Sequence, residues 1–218
     1  MFAKLRDCMI EHGFTPSKHE PCLFTRGQGE ERVHVMVHVD DALIAGKRQA
    51  VNDAKASIGG MFEVKDLGTA CHFLGMTIER RDDSRYSLTQ PKYVDDMLER
   101  SEMSNCNPAV TPMLVAQKFS KTVGKPLGAD NQYQALVGSL LYLSVNTRPD
   151  ISHAVGILSR FMSCPTDQHW EAAKHILRYL QGTKHLGLRF AGAAPSNQGV
   201  RMRDVHRRRL RGGPGQAP

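Results

Sequence analysis

Between Val33 and Gly46 the chain alternates with a period of two. Val33, Val35, Val37 and Val39 are separated by His34, Met36, His38 and Asp40. β-Branched residues at every second position predict a half-buried strand, valines on a core and the His/Met/His/Asp face outward. Ala42-Leu43-Ile44-Ala45 predicts a short return strand that stops at Gly46, which puts Asp40 and Asp41 at a hairpin tip. Upstream, Leu5, Cys8 and Met9 have helical spacing within Phe2–His12, and Pro21–Thr25 predicts a strand turning through Arg26–Glu30. Downstream, Gln49–Ile58 predicts a helix ended by Gly59-Gly60, and Met61–Val64 a strand closed at Leu67-Gly68. Cys71–Arg80 and Arg85–Leu88 predict a second hairpin around Arg81-Asp82-Asp83-Ser84.

Past Gln90-Pro91 the period changes to 3.6. Tyr93, Val94, Met97 and Leu98 share one helix face. Asn107–Gly128 holds Pro108, Pro112 and Pro126 with little periodicity, which predicts a linker. Three further helices are predicted: one on Tyr133, Leu136, Val137, Leu140, Leu141 and Leu143, and a second on Ile151, Val155, Leu158 and Phe161-Met162. The third carries Trp170, Ala173, Ile176, Leu177 and Leu180, starts at Pro165-Thr166-Asp167 and stops at Gly182. The expected fold class is α+β, a mostly antiparallel sheet with helices followed by a helical region.

Composition narrows this picture in two ways. The net charge of +7 suggests an anionic partner, but six arginines and one aspartate lie from Ala191 onward, so five of the seven excess charges belong to the last 28 residues. That tail, rich in Gly, Ala and Arg, cannot bury a core and is expected to be disordered. The five cysteines are odd in number and scattered, which argues against a disulfide framework and a zinc site. His169 and His175 are six apart and miss the i, i+4 spacing of a helical metal pair. The chain opens without a signal leader and contains no membrane-length apolar run, so an intracellular location, cytoplasmic or nuclear, is expected.

Two sites could carry chemistry. Adjacent carboxylates repel, and a bound cation favours their charged forms; hard divalent ions take oxygen ligands and bridge carboxylates to phosphates. Asp40-Asp41 on a rigid hairpin is thus a candidate metal platform, with a solvated acidic turn as the bland alternative. Tyr93-Val94-Asp95-Asp96 spells a similar tetrapeptide on a helical pattern, which assigns Asp95 and Asp96 to the first turn of a helix and to solvent.

The Val39-Asp40-Asp41 hairpin resembles the reverse transcriptase of copia-type LTR retrotransposons, whose catalytic signature is an aromatic residue followed by Val-Asp-Asp. The resemblance continues in order through Phe62-Glu63-Val64-Lys65-Asp66-Leu67-Gly68, Phe73-Leu74-Gly75, Gln90-Pro91-Lys92-Tyr93 and Thr111-Pro112-Met113. It runs on through Gly138-Ser139-Leu140-Leu141-Tyr142-Leu143, Thr147-Arg148-Pro149-Asp150-Ile151 and Arg178-Tyr179-Leu180-Gln181-Gly182-Thr183, and is expected to stop at Ala191.

The resemblance implies residues 1–106 as a partial polymerase palm and start of the thumb, 107–131 as linker, 132–190 as a helical connection region, and 191–218 as a basic tail. It implies Asp40 and Asp41 as catalytic magnesium ligands, and an RNA template, DNA primer and deoxynucleotide as partners. His38 stands where the family has an aromatic residue, and with Leu74 and Gly75 it is a candidate nucleic-acid contact. A small Gly75 would let nucleic acid approach the backbone, or would merely relieve strand packing. The family's third carboxylate comes from an earlier strand, whereas Asp7, the only aspartate before the hairpin, falls on a helical pattern. Two readings stay open: a reverse transcriptase fragment, inactive unless it associates with the missing polymerase half, or a non-catalytic remnant that binds nucleic acid or protein or is functionless.

Overall fold

The valine alternation builds the sheet that it predicts. In a computed structural model describing residues 2–82, 85–114, 119–120, 123–128 and 131–191, the chain forms an α+β fold of two compact units, Met1–Phe73 and Leu74–Pro218. The division falls earlier than the proline-rich segment at 107–131.

In the first unit, helix α1 (Phe2–Glu11) precedes strands β1 (Thr15–Pro16), β2 (Leu23–Arg26), β3 (Val33–His38) and β4 (Asp41–Ala45). These form an antiparallel meander in chain order. Val33, Val35 and Val37 are buried with Phe24, while His34 and His38 are exposed on the other face. Met9 and Phe14 close the core from one side, and helix α2 (Arg48–Met61) closes it through Ala54, with Val51 and Ile58 packed nearby. α2 runs through Gly59-Gly60, and no strand forms at 61–64. The Phe62 N–H caps it by donating to the Ile58 carbonyl at 2.9 Å. Glycine weakens a helix by only about 1 kcal/mol per residue, which the packing of Met61 and Ile58 on the core offsets. The short β5 (His72–Phe73) ends the unit.

The second unit begins with a turn at Leu74-Gly75, so the single strand expected over Cys71–Arg80 is interrupted there. Strands β6 (Met76–Asp82) and β7 (Arg85–Thr89) pair antiparallel, and β8 (Leu188–Ala191) adds to β7 from far along the chain. Gly187 makes that addition fit: a Cβ there would fall on the Leu88 carbonyl. The expected Arg81–Ser84 turn lies partly, and the expected tail beyond Ala191 wholly, outside the described residues.

Helix α3 (Pro91–Arg100) follows with Pro91 at its first position, where a missing N–H costs nothing. Its start is earlier than expected, so Asp95 and Asp96 lie past the first turn rather than in it. Asp95 pairs with Lys184 at 2.5 Å, and Val94, Met97 and Leu98 are buried. Helices α4 (Tyr133–Asn146), α5 (Ser152–Ser159) and α6 (Asp167–Gly182) complete the unit; α6 packs on α3, α4 and α5. α5 is shorter than its apolar stripe, because Pro149–Ile151 forms a 3-10 turn and Phe161-Met162 a closing turn. The described part of 107–131 is strapped along this bundle. Ala109 N–H donates to the Arg178 carbonyl (3.1 Å), Leu127 N–H to Pro165 (3.0 Å), and Arg178 Nε to the Asn107 carbonyl (2.8 Å).

The start of α6 carries a titratable device. Thr166 N–H donates to His169 Nδ1 at 2.9 Å, an N-terminal cap in which histidine takes the place of the usual glutamate. The ring is fully buried, stacked on Phe161 with centroids 4.1 Å apart, and its Nε2 has no hydrogen-bond partner among the described residues. Burial pushes the His169 pKa down, against a smaller upward pull from Asp167. With a folded pKa below the unfolded value, the unfolded chain binds the extra proton, so this contribution is intact above about pH 6.5 and is lost as pH falls towards the folded pKa. His169→Asn keeps an acceptor near Nδ1 and removes the titration. Urea midpoints measured from pH 7.5 to 5 are expected to fall more steeply for the wild type than for this variant; parallel curves would disprove the assignment.

Candidate active site

The register of β3 on β4 sets the hairpin. Val35 pairs with Ile44, Val37 with Ala42 and His38 with Asp41, leaving Val39 and Asp40 as a two-residue turn. The tip is therefore shifted by one residue from the expected Asp40-Asp41. Asp41 is the first residue of β4 rather than a turn residue, because burying Val33, Val35 and Val37 together with Ile44 fixes the ladder. Cross-strand partners share a face, so Asp41 lies with His38, Met36 and His34 on the outward side. Both carboxylates are exposed.

Val39 has φ +54° and is 80% exposed. A β-branched residue in the left-handed region is an outlier that costs on the order of 1–3 kcal/mol, and such strain clusters at functional sites. Glycine or asparagine would relax this position, so the turn is poor as a plain connection.

As a metal platform the donor chemistry fits in part. Two hard oxygen donors are adjacent in sequence, Asp40 in the turn and Asp41 at the start of β4, and oxygen is the donor magnesium takes. Among the described residues, no group of three or more His, Cys, Asp or Glu side chains is placed to hold an ion. Asp7 lies on α1 rather than on a strand.

Leu74 and Gly75, the other expected nucleic-acid contacts, belong to the second unit. Both have positive φ, +51° and +73°, and their carbonyls are held from behind. Tyr142 Oη donates to Leu74 O at 3.3 Å, and Gln90 Nε2 reaches Gly75 O at 3.5 Å. Sequence reasoning gave Tyr142, Gln90 and Thr147 (whose hydroxyl donates to Gln90) no role of their own, although each lies in a segment that carries the resemblance. Arg148 and Asp150, quoted above only for the family resemblance, form a salt bridge at 2.8 Å. No helix among the described residues is long and apolar enough to cross a membrane.

The chain belongs to the reverse transcriptase (RNA-dependent DNA polymerase) family, whose model matches residues 1–115. Within that family it is of the copia type. It is 38% identical over 213 residues to the retrovirus-related Pol polyprotein from transposon TNT 1-94 of Nicotiana tabacum, covering 94% of this chain and 16% of the relative. It is also 38% identical over 188 residues to that from transposon RE1 of Arabidopsis thaliana, covering 86% and 13%. A putative transposon Ty5-1 protein of Saccharomyces cerevisiae is 31% identical over 179 residues, covering 82% of this chain and 58% of the relative. The chain thus spans about one sixth or less of the first two relatives. The tobacco match covers 94% of the chain and so extends past Ala191, where the resemblance was expected to stop. No solved structure matches.

Proposed function

We propose that this chain is part of a retrotransposon reverse transcriptase, with Asp40 and Asp41 as two of its catalytic carboxylates. On this reading residues 1–106 are the later palm and the start of the thumb, 107–131 link them to the helical connection region at 132–190, and 191–218 form a basic tail. The observation that carries the reading is the strained Val39-Asp40 turn, which presents two exposed carboxylates beside His38 in a chain of this family. Asp40 and Asp41 would hold magnesium, which when bound makes a primer hydroxyl more acidic and offsets charge on a nucleotide triphosphate. The chain's own contribution is positional. The β3–β4 ladder fixes the two carboxylates against each other, and the exposed outer face leaves room for a primer end beside His38.

The partners on this reading are an RNA template, a DNA primer and a deoxynucleotide, with a further polymerase segment supplying the third carboxylate. The absence of a third acidic side chain near Asp40 among the described residues favours a second reading, a non-catalytic piece that binds nucleic acid or protein. Manganese tests the platform without requiring turnover. Added to the purified chain, Mn²⁺ is expected to broaden the amide resonances of Val39 to Ala42 selectively, and Asp40→Asn/Asp41→Asn is expected to abolish the effect. Equal broadening in wild type and variant would disprove a metal role for the pair.

A further inference from the structure

We infer that the open edge of β4 is a self-recognition surface, to which a second copy of this chain adds its own β4 antiparallel about a two-fold axis at Leu43. The inference does not depend on the catalytic reading above.

The two edges of the first sheet differ. β1 is a two-residue strand that ends on Pro16, and short strands and prolines are devices that keep an edge from pairing. β4 has neither. It runs five residues, Asp41-Ala42-Leu43-Ile44-Ala45, without proline, lysine or a register shift against β3. Successive residues of an antiparallel strand send their N–H and C=O groups to alternate sides. The Val37 N–H donates to the Cys22 carbonyl at 2.9 Å, on the β2 side, so Met36 and His38 face β4. Their partners Leu43 and Asp41 face back at β3, and Ala42 and Ile44 therefore direct their N–H and C=O groups away from the sheet. Neither residue's backbone has a hydrogen-bond partner on that side among the described residues, and Ala42 is exposed.

An antiparallel copy completes this edge with the groups it leaves open. With Leu43 opposite the second copy's Leu43, Ala42 pairs with the other Ile44 and Ile44 with the other Ala42, so each copy donates from both of its outward N–H groups. The apolar row formed by Leu23, Met36 and Leu43 across adjacent strands then continues into the same row of the second copy. Charge selects the direction. The segment is acidic at one end, Asp40-Asp41, and basic at the other, Lys47-Arg48, with no charge between them. Antiparallel addition sets each acidic end beside the other copy's basic end, whereas parallel addition sets like beside like. Asp40, Asp41 and Arg48 are exposed and make no ion pair among the described residues, while Lys47 pairs with Glu30.

The test is sedimentation velocity of the full 218-residue chain over a range of concentrations. The chain is expected to pass reversibly from monomer to dimer. Ala42→Pro removes an N–H that the β3–β4 ladder does not use and costs the dimer two hydrogen bonds, so association is expected to weaken roughly thirtyfold. Asp40→Lys/Asp41→Lys and Lys47→Glu/Arg48→Glu each give the segment one sign at both ends. Either variant alone is expected to stay monomeric where the wild type pairs, and an equimolar mixture of the two is expected to restore the dimer. Disulfide formation reads the register. Leu43→Cys is expected to cross-link to its mate across the axis, while Ala42→Cys and its mate, about 8 Å apart, are beyond reach. Should Ala42→Pro shift the urea midpoint, the charge-reversed pair decides without it. A chain that stays monomeric up to about 1 mM, the weakest association such a set of hydrogen bonds gives, overturns the inference and points to another occupant, such as a strand from a further polymerase segment. A mixture of charge-reversed chains that stays monomeric, or equal cross-linking at positions 42 and 43, overturns it as well.

Discussion

Asp150→Ala is expected to cost about 3–5 kcal/mol of stability, a large share of the ~5–15 kcal/mol that holds an ordinary domain. The reason is the partner it abandons. Arg148 is 1% exposed, and its guanidinium donates from Nε and Nη2 to the Asp150 carboxylate at 2.9 and 2.8 Å. The remaining donors reach the Thr183 carbonyl at 3.0 Å and its hydroxyl at 2.8 Å, tying the start of α5 to the end of α6. Tyr179 Oη donates to the same carboxylate at 2.8 Å, and the guanidinium lies 5.5 Å from the Tyr179 ring. Removing the carboxylate leaves a buried cation with hydroxyl and carbonyl contacts only, and that is what makes breaking one side of such a pair expensive. Arg148→Met/Asp150→Ala, which removes both charges, is expected to be more stable than Asp150→Ala alone. Urea unfolding of the three proteins decides: a loss below about 1 kcal/mol for Asp150→Ala would disprove the cost of an unpaired buried charge here.

The same cluster sets an acid limit. Burial alone would raise the Asp150 pKa, but the Arg148 hydrogen bonds and charge outweigh it, with help from Tyr179, and hold it below the usual carboxylate range. A depressed folded pKa stabilises above the unfolded value of about 3.9 and is lost as pH falls through the folded one. The His169 contribution fades in the higher window, so the two losses are separable on one pH axis.

How much of this was legible in the sequence depends on what kind of force wrote each part. The β3 strand and the stripes of α3, α4 and α6 were legible, because burial by period is a repeated signal: Val33, Val35 and Val37 each restate it. Register was legible only to within one residue. Asp40 and Asp41 are equivalent as letters, and the pairing of His38 with Asp41 emerges only once the ladder closes. Gly59-Gly60 read as a stop because local propensity disfavours helix there, whereas tertiary packing at Met61 carried α2 through. β8 is four residues long, too short for a period to show, and its partner lies about a hundred residues away. The described part of 107–131 is held by backbone hydrogen bonds such as Ala109 to Arg178, which no side-chain pattern announces. Arg148 was the hardest. A charged residue is expected at the surface, and only its spacing from Asp150 hinted that it had a partner to be buried with.

The largest expected effect is on catalysis: the isolated 218-residue chain should extend no primer, although it belongs to a polymerase family. On the proposed reading Asp40 and Asp41 supply two of three carboxylates, and no third acidic group joins them among the described residues. Each such electrostatic contribution is commonly worth about 3–4 kcal/mol, or roughly 10²–10³ in rate. Without the further polymerase segment that this reading calls for, positioning of the two reactants is incomplete as well, and positioning can supply about 7–11 kcal/mol of a bimolecular barrier. These contributions overlap rather than add, yet either one brings turnover near background. The exposed outer face of the first sheet, where Leu23, Met36 and Leu43 sit half-buried in adjacent strands, is then free to meet a complementing segment. The measurement is nucleotide incorporation on a primed RNA template with magnesium, by the purified chain and by Asp40→Asn/Asp41→Asn. Equal, background-level incorporation by the two is the expected result. Incorporation by the wild type above the double variant would refute it, and would mean that a third carboxylate reaches the Val39-Asp40 turn from elsewhere in the chain or from a second copy.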